Sequence, residues 1–247
     1  MRYLIISDIH ANWEGLQAVL RDARNSYDRI LCAGDLVGYG ADPNAVVDWA
    51  RREISAVVRG NHDKACCGLL DDLEWFNPVA RQAALWTRAQ LTYANLEYLQ
   101  NLPKGPIRVE NFQLLHGSPL DEDEYLLASS DAIFLAPQLK YRLSFFGHTH
   151  VQGGFLIHRG GVEVLGGPVS GKNRTLCALE PETIYLSNPG SVGQPRDGDP
   201  RAAYLIYDTK ENTVSYQRVG YDISSAQAKI ISAGLPEILA RRLAIGV

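Results

Sequence analysis

Five of the six histidines in this chain, together with Asp8, Asp35 and Asn61, fall in five short turns. The turns are Asp8-Ile9-His10, Gly34-Asp35, Gly60-Asn61-His62-Asp63, His116-Gly117 and Gly147-His148-Thr149-His150. Carboxylate, imidazole and amide oxygen in one set suit first-row divalent cations such as Mn, Fe or Zn better than Ca or Mg. Asp8 and His10 stand at i and i+2, so both can face one side where a strand ends. If two cations lie about 3.5–4 Å apart, one carboxylate must bridge them. Gly34 and Gly60 let the backbone pass close to the ions. Each motif has a plain competitor. A lone DxH or GD recurs by chance, Asp35 can be a turn residue or helix cap, and His116 can be a satisfied core histidine. GNHD and GHTH are sharper, and the five together, each closing a strand-like run, outweigh those readings. His158, in FLIHRGG, lies outside the pattern and reads as an ordinary strand residue.

The elements that must position these turns alternate in type. Tyr3–Ser7 is an apolar strand-like run, and Asn12 can cap a helix with a stripe of Trp13, Leu16, Val19, Leu20 and Ala23. Arg29–Ala33 is a second strand. Asp42-Pro43 opens a helix to about Glu53, with Asp as cap and Pro at its first position. Ile54–Arg59 is a third strand. This βαβαβ rhythm predicts a mostly parallel sheet covered on both faces. Ligands of such sheets bind at the carboxyl ends of the strands, so turns far apart in sequence can meet there.

Residues 64–105 break the rhythm and read as a helical insertion, with helices from Pro78 to about Ala89 and from Thr92 to Leu99. Its aromatics Trp75, Phe76, Trp86, Tyr93 and Tyr98 can either shape access to the turns or simply pack. Strands at Pro106–Val109 and Phe112–Leu115 can pair across Glu110-Asn111, a helix follows at about Ser130–Tyr141, and Leu143–Phe146 is another strand. After His150 the texture is that of a β-meander of six strands ending near Arg218, then two short helices split at Gly234-Leu235-Pro236.

With 247 residues, the expectation is a single domain spanning 1–247 that buries about 70% of its unfolded surface without disulfides. The formal charge of −4 gives no global attraction to nucleic acid or anionic membrane. Nucleic acid is a partner only through a local basic patch. No apolar run reaches the roughly 18 residues of a membrane helix. The first apolar run is interrupted at Asp8, too early for the core of a signal peptide. Cys32, Cys66, Cys67 and Cys177 show no CxxC spacing and read as reduced, mostly buried thiols. Together these predict a cytoplasmic protein; the oligomeric state is left open.

DIH, GDLVGYG, GNHD, HGS and GHTH, as they stand in this sequence, resemble the calcineurin-like metallophosphoesterase superfamily, and within it the compact bacterial and archaeal phosphodiesterase branch. The resemblance spans about residues 2–220. It implies an α/β fold, a four-layer α/β/β/α sandwich of two mixed sheets flanked by helices. It implies one divalent ion held by Asp8, His10, Asp35 and His150, and a second held by Asp35, Asn61, His116 and His148, with Asp35 bridging. His62 matches the family's catalytic histidine, which sits over the phosphate.

The chain departs from the GDxxDRG pattern of the protein Ser/Thr phosphatases, because Gly38 and Tyr39 stand where that pattern has Asp and Arg. The usual carboxylate partner of the catalytic histidine and a phosphate-gripping arginine are therefore missing. Asp63 adjoins His62 but is not assigned as its partner. The stretch Asn188-Pro189-Gly190-Ser191, with Pro195-Arg196 after it, occurs in the same branch. It reads either as a tight turn or as a substrate segment that brings Arg196 or backbone amides to the phosphate. Ser191 has no evident base and is not read as a nucleophile. The expected function is hydrolysis of a small phosphorylated substrate, a phosphodiester in the first instance. The ion pair would lower the pKa of a shared water so that hydroxide attacks phosphorus, with His62 assisting and Asn61 and Arg196 touching substrate. The alternatives are a phosphomonoesterase or nucleotidase on the same residues, and a non-catalytic metal-binding scaffold.

Overall fold

The computed structural model describes residues 1–70, 72–168 and 171–247. The chain opens as expected with β1 (Arg2–Ile6), α1 (Trp13–Asp22), β2 (Arg29–Cys32), α2 (Pro43–Glu53) and β3 (Ala56–Val57). Helix α1 starts where the Asn12 side chain accepts the Gly15 N–H, and it buries Leu16 and Val19. Then come α3 (Asn61–Cys67), α4 (Pro78–Gln90) and α5 (Tyr93–Gln100), the last two capped by the side chains of Asn77 and Thr92. The chain continues through β4 (Ile107–Val109), β5 (Phe112–Leu114), α6 (Ser129–Leu135), β6 (Leu143–Phe145), β7 (Gly153–His158) and β8 (Gly161–Gly166). It ends with β9 (Arg174–Ala178), β10 (Ile184–Asn188), β11 (Ala202–Asp208), β12 (Thr213–Val219), α7 (Ile223–Ser232) and α8 (Glu237–Leu243).

The strands make two mixed sheets of six, ordered β3-β2-β1-β11-β12-β9 and β4-β5-β6-β10-β7-β8. Side-chain alternation along β1 shows how the layers form. Tyr3 and Ile5 enter the core between the sheets, where they meet Phe112, Phe145, Leu205 and Tyr216. Leu4 and Ile6 point the other way, into a cluster with Leu16, Val47, Trp49 and Cys66 under the helices. The outer face of the second sheet is covered more thinly, by Ala132 and Leu135 of α6 on Phe146, Phe155 and Leu186. This is the expected four-layer sandwich. No helix of the described residues is long and apolar enough to cross a membrane.

Several expectations are corrected. The third strand shrinks from Ile54–Arg59 to Ala56–Val57. Asp42 makes no capping bond to α2, because its carboxylate is 2.7 Å from Lys229 Nζ instead. GNHD is not only a turn: it opens α3, so the helical stretch begins at Asn61, ahead of residue 64. The helix near 130 stops at Leu135, and Ala136–Gln138 tighten into a 3-10 turn around Pro137, which cannot donate into an α-helix. The strands after His150 are not one meander: β7, β8 and β10 join one sheet, while β9, β11 and β12 join the other.

Candidate metal centre

The five turns meet where β1, β2 and β6 end. At most of them the backbone enters the left-handed region, with φ of 53° at Asp8, 48° at His10, 55° at Asp35, 68° at His148 and 60° at His150. Such conformations are costly for side chains of this kind and persist only where surrounding structure enforces them. Here the turns enforce one another. Asp8 N donates to Gly34 O, His10 N to Asp35 O, Gly147 N to His116 O and Gly193 N to Asp8 O, all at 2.9–3.0 Å. Ser191, fully buried, donates from Oγ to Asp8 O at 2.7 Å and accepts from Gln194 N. Asn188 donates to Gly147 O at 2.8 Å. The NPGS turn is thus a brace for the site, and Ser191 is committed to it.

The side chains form two groups that share Asp35. One ligand atom each from Asp8, His10, Asp35 and His150 lie within 4.8 Å of one another, as do those of Asp35, His116 and His148. Asp35 Oδ2 is buried and has no hydrogen-bond partner among the described residues. His10 Nε2 stands 3.6 Å from it and His116 Nε2 3.5 Å, one from each group. Three imidazoles are fixed by backbone carbonyls: His10 Nδ1 at 3.0 Å from Val37 O, His116 Nδ1 at 2.7 Å from Ala33 O and His150 Nδ1 at 2.6 Å from Gln194 O. When these Nδ1 atoms donate, the Nε2 lone pairs face inward. His10 Nε2 and His150 Nε2 then face each other at 3.1 Å, and His116 Nε2 faces Asn61 Oδ1 at 3.2 Å. Two acceptors at such distances repel unless a cation lies between them. His148 uses the opposite atom, with Nε2 at 3.0 Å from Asp123 O. The donor set, buried and rich in oxygen and imidazole, fits divalent cations.

The electrostatics agree. Burial, with Asp63 and Asp8 nearby, pushes Asp35 well above the carboxylate range despite attraction from His116. Burial also opposes ionisation of Asp8, but His150 and His116 hold it below the ordinary value. Burial lowers His10, His150 and His148, the last to about 2, which favours the neutral imidazole that a cation needs. Burial opposes protonation of His116 as well, but Asp35 and Asp8 prevail and raise it: with no cation between them, the two carboxylates draw positive charge to the place a divalent cation would fill.

Sequence reasoning missed the work of Asp63. Its carboxylate accepts the N–H groups of Asp35 at 2.9 Å, Leu36 at 2.9 Å, Val37 at 3.3 Å and Gly60 at 3.0 Å. It clamps the GD turn to the start of α3, and burial, partly offset by these bonds, raises its pKa to about 6. The sequence signal was Asp63 three residues after Gly60, at the position from which a side chain caps a helix.

His62 is buried, and its Nδ1 has no hydrogen-bond partner among the described residues. Its ring lies 4.8 Å from His10, 4.3 Å from Tyr39 and 5.1 Å from Phe76. Burial first, and the Arg196 charge second, push its pKa well down. At Gly38, with φ of 91°, an added Cβ would stand 2.6 Å from His62 Nδ1. The position that carries Asp in the GDxxDRG pattern therefore faces this unpartnered nitrogen. Arg196 reaches the same side. Its backbone N–H donates to His150 O at 3.2 Å, Nη2 to Tyr39 Oη at 3.3 Å and to Gln194 Oε1 at 3.1 Å, and Nε is buried without a partner among the described residues. Tyr125 stacks on His148 at 3.7 Å.

A cleft of about 550 Å³ opens over this side, lined by Asn61, His62, Tyr39, Phe76, Tyr125 and His148 among others. Trp75 lines it too and is 96% exposed. The insertion aromatics thus divide. Trp75 and Phe76 edge the site, Trp86 and Tyr98 pack in apolar clusters, and Tyr93 is exposed. His158 pairs with Glu163 on an exposed hairpin, away from the site.

Comparison with known proteins places the chain. The model of the calcineurin-like phosphoesterase superfamily domain matches residues 1–212. An uncharacterised protein of Methanocaldococcus jannaschii is 37% identical over 98% of this chain and 97% of its own length. A metallophosphoesterase from Sphaerobacter thermophilus, known as a crystal structure, is 41% identical with a TM-score of 0.88, covering 100% of this chain and 99% of that one. A hypothetical protein from Pyrococcus horikoshii, at 19% identity and a TM-score of 0.78 over 100% of this chain and 98% of its own, shares the fold.

Proposed function

From the premise that this chain belongs to the calcineurin-like phosphoesterase superfamily, we propose that it is a two-ion phosphoric ester hydrolase acting on a small phosphodiester. The observation that carries this reading is Asp35 Oδ2, unpartnered and faced by an imidazole nitrogen from each of two ligand groups. Asp8, His10, Asp35 and His150 would hold one divalent ion, and Asp35, Asn61, His116 and His148 the other, with Mn, Fe or Zn suiting the donors. When bound, such ions activate water and neutralise charge on phosphoryl oxygens. The chain's own residues do the rest. Asn61 orients at the floor of the cleft. His62 presents its ring to the leaving side, where it assists by hydrogen bonding or proton transfer. Arg196 would offer its guanidinium, whose Nε is unpartnered among the described residues, to phosphate oxygens. The whole chain acts as one domain in this reading, and the free thiols Cys32, Cys66 and Cys67, all buried, suit the cytoplasm.

The diester preference rests on Gly38 and Tyr39. A monoester carries about two negative charges near neutral pH and a diester one, so the missing fixed arginine penalises the monoester more. A monoesterase is the second reading, favoured by Arg196, whose guanidinium would return one cation to the site. Steady-state kinetics of the metal-loaded protein on bis(p-nitrophenyl) phosphate and p-nitrophenyl phosphate separate the two. Higher kcat/KM on the diester is expected. A monoester preference of tenfold or more, about 1.4 kcal/mol in transition-state binding, overturns it. Metal-dependent turnover of neither would leave only a scaffold.

A further inference from the structure

The hairpin α7–α8 lies beyond residue 212, where the family match ends. It reaches the site from behind at three places. Ile230 of α7 and Leu239 and Leu243 of α8 are buried in one cluster with Tyr39, and Phe76 packs against it. Tyr39 and Phe76 are two of the three rings packed around His62. Past α8, the Gly246 carbonyl accepts the Gly198 N–H at 2.9 Å, two residues from Arg196. Gly246 has φ of 66°, and an added Cβ there would come within 2.7–2.8 Å of Asp199 backbone atoms. A side chain is thus excluded where the tail lies against the 196–199 loop. At the third place, Lys229 of α7 joins Glu14 at 2.6 Å and Asp42 at 2.7 Å, which ties the hairpin to the starts of α1 and α2 on either side of the Tyr39-Gly40 turn. The ligand turns, by contrast, are held by bonds among themselves.

We propose that the C-terminal hairpin, through Gly246, Leu239, Leu243 and Lys229, is a positioning element of the reaction centre that sets where Tyr39 and Arg196 stand over the phosphate. This rests on the reading of Arg196 as phosphate-facing. Displacements of about an ångström suffice to cost large factors in such sites. The probe is inorganic phosphate, titrated calorimetrically into the metal-loaded full chain. Gly246→Val should weaken phosphate by about tenfold, with metal content unchanged. Lys229→Met, which frees the other anchor without touching that loop, should weaken it by about threefold. In an Arg196→Met background, Gly246→Val should add less than about twofold, because the two changes act through one group. Where a phosphoester is turned over, KM rises and kcat stays within about threefold. Unchanged phosphate affinity in both single variants, full additivity in the double variant, or loss of metal with Gly246→Val each overturns the proposal. A wild type that binds phosphate with this pattern but hydrolyses no diester would instead overturn the proposed function alone.

Discussion

The two sides of the site are built on different principles. The proposed ligand side consists of short segments, most of them turns that enter left-handed conformations, stitched by backbone hydrogen bonds and by two buried braces, Asp63 and Ser191. The proposed substrate side consists of single residues, Tyr39, Phe76 and Arg196, each delivered by a different segment; apolar packing of α4, α7 and α8 backs Tyr39 and Phe76, and Arg196 hydrogen-bonds to Tyr39 and Gln194. A lattice of hydrogen bonds fixes geometry tightly and tolerates little change. An apolar backing transmits small shifts and can be retuned. The comparison predicts that changes on the ligand side abolish metal and activity together, whereas changes on the substrate side alter rate or preference with metals in place.

The largest effect is expected at Asp35. Asp35→Asn weakens both ion sites at once and should cut turnover by more than the 10–100-fold typical of residues one layer out from a metal. Elemental analysis should show neither ion retained, and two tightly held ions in the pure variant would break the bridging role. His62→Ala tests the other side. Metal content should stay near normal while turnover falls by about 10²–10⁴-fold. The loss should shrink for good leaving groups if His62 passes a proton, and an equal loss across leaving groups would leave it charge stabilisation only. Asp63→Asn probes the brace. It leaves every ligand in place, yet metal affinity should fall by about 10–100-fold, read by competition with a chelator. Unaltered affinity would show that the GD turn holds itself. Tyr39→Arg should move the diester-to-monoester kcat/KM ratio towards the monoester by several-fold, with metals retained. A ratio that does not move would place position 39 out of reach of the phosphate.

The smallest effect sharpens the comparison from outside the site. Asp222 caps α7 by accepting Ser225 N at 3.0 Å and Ser224 Oγ at 2.7 Å. Hydrogen bonds from Ser224 and Ser225 hold its pKa at about 2. Its contribution is therefore present above the ordinary carboxylate range, near 3.9, and lost as pH falls through about 2. Asp222→Ala should lower Tm slightly at neutral pH and by clearly less at pH 2. Equal Tm losses at both pH values would mean that the ionised cap is not what matters.

The same comparison explains what could be read from the sequence. The ligand turns were legible because Asp, His and Asn at strand ends carry their chemistry in their type and spacing. The first βαβαβ unit was legible because its stripes and caps match the periods of helix and strand. Asp63 was visible but its task was not, since four backbone donors from two separate turns converge on it only in the fold. Arg196 stood out, but nothing local says which way a loop arginine points. Leu239, Leu243 and Gly246 look like any core or turn residue, and their bearing on the site comes from contacts spanning most of the chain. The division of the later strands between two sheets was hidden for a similar reason: alternation reports a strand, not its neighbour.

One measurement tests the central claim most directly, that five turns build a two-ion centre around Asp35. Electron paramagnetic resonance of the protein titrated with Mn(II) reads stoichiometry and proximity together. The account predicts two ions bound per chain and the spectrum of an exchange-coupled Mn(II) pair, which a bridging carboxylate at roughly 3.5–4 Å separation requires. An isolated mononuclear Mn(II) signal at saturation would contradict it.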